Sequence, residues 1–176
     1  MHSVRDAVPG DLEPLLRLWS RYLEEHYGLR GTMTAAALAR DCFGDDPQFA
    51  MCVAEDAGQL IGAGAWRMTY DLHHFVRGVE LADLYVAPER RGLGVAASLI
   101  THVAARGLTR GAEFMRGSGP VEPTPARHLY ERVCVFFSGD TVNVSARAFR
   151  HLASLQGKSP REICRALPLP AWNYEA

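Results

Sequence analysis

Strands and helices alternate along this chain of 176 residues, which predicts an α/β or α+β fold. Three observations carry that expectation. The passage Val79–Ile100, VELADLYVAPERRGLGVAASLI, joins an apolar β-forming run, a glycine-rich turn and a helix start without interruption. Two further runs, Phe49–Glu55 and Leu60–Tyr70, flank Asp56-Ala57-Gly58-Gln59, the residue types of a hairpin turn. Apolar residues at helical spacing precede and follow them. The length suits one domain with a proper core, and no linker or low-complexity stretch divides the chain. A single domain over 1–176 is therefore expected, with 155–176 as an extra helical tail.

Taken in order, Ser3–Ala7 reads as a first strand. Pro9-Gly10-Asp11 follows, with Asp11 placed to cap a helix bearing Leu12, Leu15, Leu16, Trp19 and Leu23 on its core face. That helix ends in an acidic and aromatic cluster, Tyr22, Glu24, Glu25, His26 and Tyr27, before Gly28 breaks it. Thr34 caps a short helix through Phe43. After the hairpin comes the central strand, Val79–Val86, stopped by Pro88, which has no backbone donor. Beyond the next helix, Glu113–Arg116 reads as a short strand, Pro125–Val133 as a helix with proline in its first turn, and Val135–Val144 as a closing hairpin. Ser145 caps a stretch through Leu155, and Ser159-Pro160-Arg161-Glu162 starts a last helix that Pro168 and Pro170 end.

The turn Arg90-Arg91-Gly92-Leu93-Gly94 sits immediately before a helix marked by Ala96, Leu99, Ile100 and Val103. Unpaired N–H groups and the positive end of the helix dipole converge there, so the turn is suited to a phosphate. It fits neither the G-x-x-x-x-G-K-[ST] loop of nucleoside triphosphatases nor the dinucleotide G-x-G-x-x-G.

This turn resembles the acetyl-CoA motif of the GNAT superfamily of acyl-CoA N-acyltransferases: Gln or Arg, two residues, Gly, one residue, then Gly or Ala, filled by Arg91, Gly94 and Ala96. Further segments are similar to the diamine acetyltransferases of the spermidine/spermine type: Asp41–Pro47, Thr69-Tyr70-Asp71, Leu81–Val86 and Leu129–Arg132. The resemblance covers roughly Ser3–Ala153. It implies a central mixed, mostly antiparallel sheet of six to seven strands flanked by helices and splayed at the acetyl-CoA strand. It also implies acetyl-CoA as donor, held by Leu84, Tyr85 and Val86 along the strand, by Arg91, Gly92, Leu93, Gly94, Val95, Ala96 and Ala97 around the turn, and by Ala126 and Tyr130 from the later helix.

An alkyl amine of pKa about 10.4 leaves roughly one molecule in 2,500 neutral at pH 7, so transfer needs a proton acceptor near the amine and an acid near the departing sulfur. By resemblance the acid is Tyr130, a phenol that stays protonated at neutral pH. The resemblance to the diamine acetyltransferases implies a glutamate as base where this chain has Ala82, so that residue is absent. Strand alternation puts Glu80 on the face of Ala82, one pleat away, from where it acts through water, and turns Asp83 to the opposite face in a structural role. Glu24, Glu25 and Asp71, with Ala82, form the expected substrate mouth. The acceptor implied is a small di- or polyamine-like primary amine; an amino acid, an aminoglycoside, a protein amine, or a non-catalytic acyl-CoA-binding or partner-binding module are the alternatives.

A formal charge of −1 with 22% charged residues gives no case for nucleic acid. No apolar run is long enough for a membrane, and the first residues lack a signal peptide's regions, so a cytoplasmic protein is expected. Cys42, Cys52, Cys134 and Cys164 lack C-x-x-C spacing, and no metal site is predicted. A homodimer is implied by the resemblance. The run Val133–Phe137 suits either its interface or a buried strand.

Overall fold

The computed structural model describes residues 2–31, 33–118 and Arg127. The chain divides into two compact units, Met1–Cys134 and Val135–Ala176, and the described elements belong to the first. They are β1 (Ser3–Asp6), α1 (Leu12–Tyr27), α2 (Ala35–Phe43), β2 (Ala50–Asp56), β3 (Gln59–Asp71), β4 (Val76–Val86), α3 (Val95–Leu108) and β5 (Phe114–Gly117). The five described strands form one sheet in the order β1-β2-β3-β4-β5. Every pair is antiparallel except β4 with β5. The expected helix Pro125–Val133 (Arg127 apart), the closing hairpin and the tail lie outside the described residues, which hold five strands where six to seven are expected for the whole chain.

Two apolar layers sandwich the sheet. On one face Leu15, Leu18, Trp19 and Tyr22 of α1 and Leu38 of α2 pack on Met51, Val53, Ala63, Ala65 and Tyr85. On the other, Val95, Leu99 and Val103 of α3 pack on Cys52, Trp66, Val79, Leu81 and Val86. The buried stripe of α1 is thus 15, 18, 19, 22, the i, i+3, i+4, i+7 pattern. Tyr22, read from sequence as part of the acidic and aromatic cluster at the helix end, belongs to the core at 7% exposure. Asp11 also departs from expectation. It makes no side-chain cap to α1; its carboxylate accepts from Arg5 at 2.6 and 2.9 Å and from the Val8 N–H at 2.8 Å, tying β1 to the helix entry. Thr34 does cap α2, accepting the Ala37 N–H at 3.1 Å.

The decisive irregularity lies in β4. Ala65 faces Asp83 while Trp66 faces Leu81, so Ala82 is an extra residue in the ladder, a β-bulge. Val79 and Leu81 point to the α3 layer, whereas Asp83 and Tyr85 point to the α1 side. The expectation that Asp83 faces away from Glu80 is therefore overturned, because the bulge resets the two-residue alternation. At the same place the described pairing on the other side stops: β5 pairs with β4 from Gly78↔Phe114 to Leu81↔Gly117. From Ala82 to Val86, β4 has no β5 partner among the described residues.

Candidate active site at the diverging strand

Past Val86 the chain makes one 3-10 turn, Pro88–Arg90, and reaches the glycine turn. Gly92 and Gly94 adopt φ of 76° and 77°. A Cβ at either would meet no atom within 4 Å, so left-handed backbone and not crowding is what demands glycine, at a cost of roughly 1–2 kcal/mol for other residues. Gly94 is the N-cap of α3, whose backbone bonding begins with the Ser98 N–H to Gly94 O at 3.0 Å. The amides of Val95, Ala96 and Ala97 therefore have no acceptor within the helix. Leu93 is exposed at 61%. The site is a strand edge that has no β5 partner from Ala82 to Val86 among the described residues, running into a turn that presents N–H groups.

The last two turns of α1 lie against this region. Tyr85 donates its hydroxyl to Glu25 at 2.8 Å, and Arg91 reaches the other carboxylate oxygen at 2.6 Å. The Arg91 Nε also donates to the Val86 carbonyl at 3.0 Å, and its guanidinium lies 5.7 Å from the Tyr85 ring centroid. Burial pushes the Glu25 carboxyl up, but the hydrogen bonds from Arg91 and Tyr85 outweigh it and leave it below the ordinary value. Burial and the bond to Glu25 raise the Tyr85 phenol. One helical turn before Glu25, Arg21 grips Glu89 with two bonds of 3.1 and 3.0 Å. Arg21, Glu24, Glu25 and Tyr85 line a cavity of about 220 Å³.

At the bulge, Tyr22 donates to Asp83 at 2.5 Å, and the Tyr27 hydroxyl lies 3.2 Å from that of Tyr22. Burial first, then the bond to Asp83, drives the Tyr22 phenol far above its usual range. Asp83 and Tyr22 are the functional-site neighbours that sequence reasoning missed. Alanine at the bulge carries no signal of it, and a tyrosine beside Glu24-Glu25 reads as surface.

Of the other candidates, Glu80 is held by Arg67 at 2.7 Å, its cross-strand partner, with Arg116 of β5 at 3.8 Å. Asp71 closes the β3–β4 hairpin: it accepts the His73 and His74 amides at 2.7 and 3.3 Å and meets the His74 ring at 2.8 Å. The His74 contact first, then the His73 amide, holds its carboxyl below the ordinary range. Asp71 pairs with Val76, nine residues along β4 from Tyr85, or about 30 Å at strand rise. It therefore does not share a mouth with Glu25. Glu24 forms a surface ion pair with Arg30. Ala82 is exposed at the bulge. Leu84, Tyr85 and Val86 end β4 and lead through one 3-10 turn to Arg91–Ala97 at the start of α3; Ala126 and Tyr130 lie outside the described residues. No cluster of three metal-ligating side chains occurs among the described residues.

The profile of the acetyltransferase (GNAT) family matches residues 12–136, spanning both the diverging strand and the glycine turn. The chain belongs to the GNAT acetyltransferase family. It is accordingly an acyl-CoA-dependent N-acetyltransferase. Among its relatives, a thialysine N-epsilon-acetyltransferase of Sus scrofa is 32% identical over 126 residues, covering 64% of this chain and 71% of that protein. A human spermidine/spermine N(1)-acetyltransferase-like protein 1 is 29% identical over 114 residues, 61% of this chain and 16% of that one. Among solved structures, an aminoglycoside acetyltransferase from an uncultured soil metagenomic sample superposes with a TM-score of 0.69 over 83% of this chain and 99% of that chain, at 21% identity, a likeness of fold. No helix among the described residues is long and apolar enough to cross a membrane.

Proposed function

We propose that this GNAT enzyme transfers the acetyl group of acetyl-CoA to a primary amine of a small cationic molecule of di- or polyamine type, by direct attack without an acyl-enzyme. The observation that carries the reading is the edge Ala82–Val86, unpaired on its β5 side among the described residues, running into the left-handed turn Gly92–Gly94. An extended pantetheine arm adds to such an edge as a strand would, and a diphosphate suits the N–H groups at the start of α3. The residues present therefore fit the donor. Acetyl-CoA supplies a thioester carbonyl; the amine nitrogen bonds to it, the carbon–sulfur bond breaks, the amine loses a proton and the sulfur gains one.

With the diphosphate at the turn, an arm laid from Val86 towards Ala82 spans about 13 Å, four residues of strand. The reacting end then lies beside the bulge. Tyr130 is assigned as the acid that protonates the sulfur, with Ala126 of the same segment beside the donor. Glu80, charge-paired with Arg67 and Arg116, takes no larger part than ordering a water that accepts the amine's proton. Glu24 supports a cationic acceptor, because its ion pair with Arg30 is at the surface and exchanges readily. The names of the thialysine and spermidine/spermine relatives point to the same amine-bearing chemistry. A cytoplasmic homodimer completes the reading.

The test is thiol release from acetyl-CoA in the presence of a panel of diamines, polyamines, thialysine, other amino acids and aminoglycosides. Amine-dependent release is expected, falling about 100-fold in Tyr130→Phe. CoA binding without release for any acceptor would overturn the small-amine reading.

A further inference from the structure

Two residues one turn apart on α1 hold the two charged residues that frame Arg90 at the entry to the glycine turn. Arg21 takes Glu89 with two bonds of 3.1 and 3.0 Å, and Glu25 takes Arg91 at 2.6 Å. The order of charge is opposite in the two pairs, positive then negative on the helix and negative then positive on the turn. Sliding the helix by one turn would set like charges together, so the arrangement fixes one register. Glu25 has a second tie, to the Tyr85 hydroxyl at 2.8 Å, and Arg91 a second tie, to the Val86 carbonyl at 3.0 Å. Helix, strand end and turn are thus joined at both partners of the same ion pair.

The glycine turn directly after Arg91 supplies the reason for such a device. Gly92 and Gly94 give the turn more backbone freedom than any other residues would, and ordering that freedom when a ligand binds weakens the binding. All four charged side chains are at least a third exposed, so the pairs add little to folding stability. Their effect is positional.

We infer that Arg21 and Glu25 form a latch that pre-orders the acyl-donor turn through Glu89 and Arg91, and that Glu25 is a positioning residue for the donor and not the carboxylate that binds the acceptor amine. The inference rests on the assignment of this turn to the acyl donor. Both Glu25 carboxylate oxygens are already engaged, one by the Arg91 guanidinium and one by the Tyr85 hydroxyl, and an ammonium group would have to displace one of them.

The test is calorimetric titration of CoA into the full chain and its Glu25→Gln and Arg21→Gln variants, with thermal unfolding to confirm that each is folded, and with the acceptor KM measured alongside. The two variants change the charge near an anionic ligand in opposite senses. Through-space attraction alone would tighten CoA in Glu25→Gln and weaken it in Arg21→Gln. The latch predicts that both weaken it, by about fivefold, with the acceptor KM within about twofold of the parent. CoA affinity unchanged or improved in Glu25→Gln would overturn the latch, and a raised acceptor KM there with CoA affinity intact would assign Glu25 to the amine instead. Absence of CoA binding to the parent chain would defeat the donor-site assignment itself.

Discussion

The two halves of β4 have the same sheet, the same neighbour β3 and similar composition, yet they do different work. From Val76 to Leu81 the strand is paired towards β3, and from Gly78 onward towards β5 as well; its carboxylate, Glu80, is consumed by Arg67 and Arg116. From Ala82 to Val86 the β5 side has no partner among the described residues, and the polar groups, Asp83 and the Tyr85 hydroxyl, reach across to α1. One inserted residue separates the halves. The bulge turns the following side chains to the other face while β4 stays paired with β3 to Val86, and the proposed donor site uses the half that follows it.

The comparison breaks first at Leu81, the last residue of the paired half, 7% exposed against Val79, Trp66 and α3. Leu81→Ala is expected to cost about 3 kcal/mol by denaturant unfolding, while CoA affinity measured where the variant is still folded stays near that of the parent. The opposite profile is expected at the turn. Gly94→Val forces a β-branched residue to φ near 77°, a strain of roughly 2 kcal/mol, and CoA binding measured by calorimetry should fall more than tenfold because the amides no longer present themselves together. A variant that lost stability and kept its CoA affinity would show that the turn is not the donor site.

The smallest effect sharpens the comparison through pH. Hydrogen bonding from Arg21 lowers the Glu89 carboxyl from 4.5 to about 2. A depressed folded-state pKa means stability that is present above about pH 4.5 and is lost as pH falls towards 2. The melting-temperature difference between the parent and Glu89→Gln should therefore be constant at neutral pH and vanish over that window. A difference that persisted at pH 2 would mean that Glu89 acts through packing and not through its charge. Glu89 is exposed, so the difference itself is expected to be small.

Much of this architecture was legible without coordinates. The hairpin at Ala57-Gly58, the Thr34 cap, the strand ending at Val86 and the helix from Val95 all rest on local backbone chemistry, and the structure places each where its residues direct. The acid and aromatic end of α1 was legible only as a composition. That Tyr22 is core, that Arg21 and Glu25 hold Glu89 and Arg91, and that Asp71 sits far down the sheet are long-range facts, made by residues up to 68 positions apart. Asp83 was read to the wrong face because strict alternation was assumed through Ala82.

Sequence alone determined the turn, since positive φ at Gly92 and Gly94 is a property that glycine tolerates and other residues resist. It also determined family membership, because the Arg91–Ala96 motif and the strand before it are contiguous. Tertiary structure decided where the bulge falls in β4 and which carboxylates face the strand beyond it. A bulge depends on how a strand pairs with both neighbours, and the partner of a charge depends on which helix is packed across from it; neither is encoded within a few residues of the position it governs.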